Sequence, residues 1–159
     1  MKRRESMYLA QSAMIASLYV TLTYLSNMLG LWEIRLSEAL CILPYFTSAA
    51  VPGLTLGCVL ANLLTGCALW DVVLGSLATF IGAAMARRLH NSSWLLAPWP
   101  NILSNTAIIP LVLRFVYLDN SRTLPGLYVY IAVSEMVSAG LLGYVFLNML
   151  KKHRRIFSL

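Results

Sequence analysis

Ile34-Arg35-Leu36-Ser37-Glu38-Ala39-Leu40 sets an arginine and a glutamate where one apolar stretch, at 7–31, ends and the next, at 36–51, begins. Ionisable groups are costly in a bilayer, so where they stand at the end of an apolar segment they mark a path or a binding site. The surrounding composition makes the bilayer reading necessary. The 159 residues are 59% hydrophobic and 11% charged, with a mean hydropathy of +0.73, which leaves too little polar surface for a soluble domain. We expect one domain, residues 1–159, folded as an all-α integral membrane protein.

Working outward from that run, apolar segments fall at about 7–31, 36–51, 53–69, 71–87, 94–117 and 124–150, joined by short polar punctuation. A helix needs about 20 residues, at ~1.5 Å each, to cross a ~30 Å hydrocarbon core. The second and third segments are short by that measure. Pro52-Gly53 lies between them, either as a tight turn at the inner face or as the tip of a re-entrant pair. The expected fold is a compact bundle of six transmembrane helices. Lys2-Arg3-Arg4 resembles the start of a signal peptide, but no short apolar core or cleavage site follows, so the first segment is expected to stay in the protein.

Charge sets the orientation. The formal net charge is +6, and the basic residues cluster as Lys2-Arg3-Arg4, Arg87-Arg88 and Lys151-Lys152-His153-Arg154-Arg155, each beside an apolar segment. That is the pattern of cytoplasmic anchors, not of a nucleic-acid surface. With both termini cytoplasmic, only Arg35, Arg114 and Arg122 of the basic residues fall outside. Of the acidic residues, Glu33, Glu38, Asp71, Asp119 and Glu135 then lie in the outer half, which suggests an outward binding site.

Glu38 follows Arg35 by three residues, so on a helix the two share a face. They either pair with each other or serve a ligand. Glu135 lies about eleven residues inside the last segment, roughly 16 Å from its outer end, too deep to snorkel; a ligand contact or a bond to Asn62 or Asn105 would account for it. Those two amides offer donors and acceptors together, as a heterocycle edge demands, and can equally join helices. Asp71, after Trp70, complements a helix N-terminus. Trp32, Trp70, Tyr117, Tyr128 and Tyr130 form an outer aromatic belt from which a stacking partner could come, with Trp94 and Trp99 in the inner belt. Cys41, Cys58 and Cys67 have spacings that suit neither a metal site nor a disulfide framework, and no metal is implied. No nucleophile with a base and no phosphate loop appears, so the chain is not expected to be an enzyme. Small residues four apart, Ser12 to Ala16 and Ala13 to Ser17, permit close helix approach, within the bundle or to a partner.

Taken together, residues 34–40, Leu43-Pro44, Ala50-Val51-Pro52-Gly53-Leu54, the run from Gly57 to Leu64 through Asn62, and the run from Trp70 to Thr79 closely resemble the QueT family. Asn105 with Pro110, and Ser134-Glu135 with Gly140 and Gly143, extend the resemblance over nearly the whole chain. It implies a substrate-binding S component of an energy-coupling factor (ECF) transporter in a bacterial plasma membrane. Such a protein captures a queuosine precursor, a 7-deazaguanine such as the 7-aminomethyl form, from outside. Its implied partners are a transmembrane coupling subunit, EcfT, and two ATPases that hold the ATP and Mg, so no cofactor is expected in this chain. The resemblance also implies that Ala13 and Ser17 dock on the coupling subunit. Glu135, Glu38, Asn62, Asn105, Arg35, Asp71 and Trp70 are the candidate substrate contacts. The alternatives are an S component for a flavin or thiamine-like vitamin, and a small membrane assembly subunit without a solute.

Overall fold

The computed structural model describes residues 2–30, 34–119 and 121–152, and every element there is helical. The α-helices are α1 (Lys2–Met28), α2 (Ala50–Leu64), α3 (Leu69–Arg88), α4 (Trp99–Phe115), α5 (Leu124–Glu135) and α6 (Gly143–Lys152). Trp32, Glu33, His153, Arg154 and Arg155 lie outside the described residues.

Two of the expected segments take a different form. The second is a 3₁₀ helix of 10 residues, Leu36–Tyr45, with Pro44 inside it. At ~2.0 Å per residue it still extends about 20 Å. The break between it and α2 falls at 46–49, not at Pro52-Gly53. Thr47 Oγ1 accepts from the Ala49 amide at 3.3 Å, and Ser12 Oγ donates to the Ala49 carbonyl at 3.0 Å, which fixes the chain in that turn. Pro52 then sits in the first turn of α2, where an amide would have no helical acceptor and its loss costs nothing.

The last segment is also divided. After α5 the backbone widens into a π-helix over Met136–Leu142 before α6 resumes. Glu135 is the residue at which the winding changes. Among the described residues three spans are long and apolar enough to cross a membrane: Leu69–Arg88, Trp94–Phe115 and Leu124–Met149; Leu36–Tyr45 and Ala50–Leu64 are shorter apolar helices.

Close packing of α1 on α2 rests on missing side chains. A Cβ at Gly57 would stand 2.8 Å from Tyr19 Cβ and 3.1 Å from the Ala16 backbone, and one at Gly53 would meet the Ser12 carbonyl at 2.8 Å. The Ser12–Ala16 stripe is therefore spent inside the bundle, whereas Ala13 and Ser17 are exposed beside Met14 and Leu18. α2 ends at Gly66, whose φ of +74° admits a closing turn with Cys67 N donating to Asn62 O at 3.0 Å and Gly66 N to Leu63 O at 3.2 Å.

The start of α1, the 46–49 turn and the 89–98 connection gather at one end of the bundle. Tyr8 Oη donates to the Ser48 carbonyl and Tyr45 Oη to that of Ser92. α6 reaches the same end, where Tyr144 Oη donates to the Leu95 carbonyl and Leu147 packs with Ile42 and Ala97. The turns at 65–68 and 116–123 form the other end, joined by Tyr117.

Candidate functional site

Glu38 is placed by a ladder between α1 and the 3₁₀ helix. Ser26 Oγ accepts from Leu36 N at 2.9 Å, Thr23 Oγ1 donates to Ser37 Oγ at 2.8 Å, and Tyr19 Oη donates to Glu38 Oε1 at 2.7 Å. The polar residues of α1 thus fix the register of the neighbouring helix one residue at a time. Helix α4 supplies the other side. Asn101 Nδ2 donates to Glu38 Oε2 at 2.8 Å, and Asn105, one turn on, donates to the same oxygen at 3.5 Å. Cys41 Sγ also donates to Oε2, at 3.1 Å. The approach of α4 depends on Gly82 in α3, where a Cβ would stand 2.7 Å from Asn101 Cα.

Asn105 Nδ2 makes a shorter bond, 2.9 Å, to Glu135 Oε1. One amide therefore bridges two carboxylates contributed by the 3₁₀ helix and by α5. The second oxygen of Glu135, Oε2, is buried without a hydrogen-bond partner, and an unpaired buried acceptor is costly to leave unmade. Glu135 is one of the residues that line a cavity of about 240 Å³, with Arg35, Glu38, Thr79, Asn105 and Tyr130 among others. Asp119 and Arg122, from the turn after α4, also line it, so it extends from mid-bundle toward the end opposite α6. Arg122 lies over the Tyr130 ring, 4.0 Å from its centroid, an attraction between cation and aromatic face. Thr123 caps α5 by accepting from Gly126 N and so sets the direction in which that helix enters.

The sequence-derived candidates separate into two layers and one outlier. Arg35, Glu38, Asn105 and Glu135 line the cavity together. Asn62 lies behind it: its Oδ1 accepts from Arg35 Nη1 at 3.5 Å and its Nδ2 reaches Cys58 Sγ at 3.7 Å. Arg35 is thus held by Asn62, and the hydrogen bonds of Glu38 go to Tyr19, Cys41, Asn101 and Asn105; a pairing of Arg35 with Glu38, one of the two readings of their spacing, gives way to these. Asp71 accepts from Tyr117 Oη at 2.8 Å, which ties the start of α3 to the turn after α4. That contact and burial push the Tyr117 hydroxyl up to about 12, burial being the larger cause. Trp70 is 64% exposed and does not line the cavity, because at the start of α3 it points away from the helices that enclose the site.

Tyr19, Asn101, Thr79 and Arg122 are contacts that sequence reasoning did not assign to the site, and of the aromatic belt it is Tyr130 that lines the cavity. Asn101 carried a usable signal, since it stands four residues before Asn105 and so on the same helical face.

An apolar helical bundle with a polar cavity among its helices is the class of membrane protein that can hold a solute. A family model described as the QueT transporter matches residues 9–152. The chain belongs to the QueT transporter family and is a membrane transport protein, an S component of the ECF type. No curated protein and no solved structure matches the chain.

Proposed function

We propose that this S component binds a 7-deazaguanine queuosine precursor bearing a cationic aminomethyl group. The observation that carries the proposal is that Glu135, a carboxylate with one buried oxygen left unpartnered, lines a cavity together with Glu38 and Asn105. The ring N–H and exocyclic amine of such a base present adjacent donors that suit a carboxylate, and its ammonium favours a second negative group or an aromatic face. Glu135 is the anchor, Asn105 and Ser134 add polar edges, and Tyr130 offers a ring on which the base stacks, an interaction of about 1 to 3 kcal/mol. Glu38, already surrounded by four donors, holds the amides in place and adds negative charge.

Cavity size supports a small planar solute. About 240 Å³ is below the roughly 300–1,000 Å³ of sites for drug-sized ligands, and a flavin with its tricyclic ring and side chain needs more room. With the termini cytoplasmic, as the basic clusters ask, all six segments cross the bacterial plasma membrane and the cavity faces outside. The solute then passes inward through a transmembrane coupling subunit, driven by two ATPases, with Ala13 and Ser17 as the docking stripe.

Calorimetry of the purified protein with the aminomethyl, cyano and queuine forms tests the proposal. The aminomethyl form is expected to bind at least about tenfold more tightly than the cyano form, a difference of about 1.4 kcal/mol. Equal affinities, or no binding by any of the three, reject it.

A further inference from the structure

A second cavity, of about 270 Å³, lies at the end of the bundle opposite the mouth of the first. It is enclosed by the first turns of α1, the 46–49 turn and the last turn of α3. Both charged side chains that line it, Arg4 and Arg87, are cationic, and neither has an ion-pair or hydrogen-bond partner among the described residues. Gln11, Thr47 and Ser48 line it with them. Thr47 Oγ1 donates to Gln11 Oε1 at 3.3 Å, so the oxygen of that amide is occupied and its two N–H donors are left over. Two guanidinium forks, a primary amide and the Ser48 hydroxyl form a donor set that matches the oxygens of a phosphate. A carboxylate ligand would use only part of it.

A shallower groove adjoins this cavity and shares Arg4 and Tyr8 with it, continuing past Glu5 and Leu9 along the exposed side of α1. Arg4 and Glu5 are its charged residues, and Tyr8 and Leu9 supply its apolar surface. A phosphate in the cavity would thus have the apolar surface of Tyr8 and Leu9 leading from it along the exposed side of α1. Basic pockets between helices at the cytoplasmic boundary are suited to anionic headgroups.

We propose that this cavity is a phosphate site that seats the headgroup of an anionic phospholipid, with one acyl chain laid along α1. The chemistry alone would also admit free phosphate, so the test separates the two. The full chain in a neutral detergent is titrated with short-chain phosphatidylglycerol, short-chain phosphatidylcholine or inorganic phosphate, and thermal unfolding is followed. A ligand that binds only the folded state raises the midpoint in a saturable way.

Phosphatidylglycerol is expected to raise it and phosphatidylcholine to leave it unchanged. Arg87→Gln and Arg4→Gln should each raise the half-saturating concentration about tenfold, the loss of one charge-assisted contact. Arg88→Gln, on an exposed neighbour outside the cavity, should not. Arg4 stands in the exposed first turn of α1, so its variant keeps the test open where Arg87→Gln fails to fold. Saturation by inorganic phosphate alone would overturn the lipid assignment and leave a free-phosphate site. Equal responses to the two lipids, or an equal effect of Arg88→Gln and Arg87→Gln, would overturn the site and reduce the effect to the general charge of that end.

Discussion

Asn105 Nδ2 donates to Glu135 Oε1 across 2.9 Å, and the other carboxylate oxygen of Glu135 is buried and unpaired. The bond fixes the orientation of the carboxylate before any solute arrives. A fixed acceptor loses little freedom on binding, so more of the contact appears as affinity.

Replacing Glu135 by glutamine or alanine removes that anchor without breaking a helix. Binding of the aminomethyl base should weaken at least about tenfold, while helical content and the unfolding midpoint of the solute-free protein stay close to the parent. Calorimetry and circular dichroism on the same preparation check both halves; unchanged affinity would dismiss Glu135 as the anchor.

Glu38→Gln should behave differently. Its new amide would face the Asn101 amide and the Cys41 thiol, which now donate to Glu38 Oε2, so a donor meets donors in a buried place. Loss of a buried acceptor of this kind costs about 1 to 3 kcal/mol. A lower unfolding midpoint together with weaker binding is expected, whereas a variant as stable as the parent would show that the network carries little energy.

Gly57→Ala tests the contact between α1 and α2 from a distance. The added methyl would meet Tyr19 Cβ at 2.8 Å, and overpacking of this kind costs about 1 to 3 kcal/mol. Because Tyr19 holds Glu38, solute affinity should fall along with thermal stability. A stable variant with intact affinity would mean that α1 can yield there without disturbing the site.

Ala13 and Ser17 make an exposed small stripe, with Ser17 Oγ folded back to donate to the Ala13 carbonyl at 2.9 Å. Leucine at both positions should block close approach by another helix and leave the solute site untouched. Co-purification with the coupling module is expected to be lost while solute affinity stays within about twofold, below the effect of a single lost contact. Retained association would place the docking surface elsewhere.

Asp119, which lines the cavity, is expected to give its mouth a pH dependence. Hydrogen bonding by Ser121, including its amide at 2.8 Å, holds the Asp119 carboxyl below its ordinary value of 3.8. A carboxyl lowered in the folded state favours the ordered turn above that ordinary value and loses the contribution as pH falls through the lowered one. Proteolytic sensitivity of the 116–123 turn should therefore be flat from neutral pH to about pH 5 and rise only in more acidic solution. A change centred near neutrality would point to a different group.

Glu38, Glu135 and Asn105 were legible because each is polar in an apolar run, where the cost of burial makes a residue conspicuous. Asn62 was equally conspicuous and stands one layer back, since only the packing of Arg35 against it decides which of the two reaches the cavity. Tyr19 and Asn101 drew no notice. Tyrosine is ordinary in a membrane helix, and its role depends on the register of α1 against the 36–45 helix.

By itself the sequence determined the apolar helical class, the segments and the polar residues that must find partners, because composition and the cost of buried charge are properties of the chain. The tertiary structure alone decided that the second segment winds as a 3₁₀ helix, that the turn falls at 46–49, and that α5 passes into a π-helix at Glu135. It also turned Trp70 away from the site and gathered Glu38, Asn105 and Glu135 around one cavity. These depend on contacts between residues up to 67 positions apart, and no local pattern encodes such a distance.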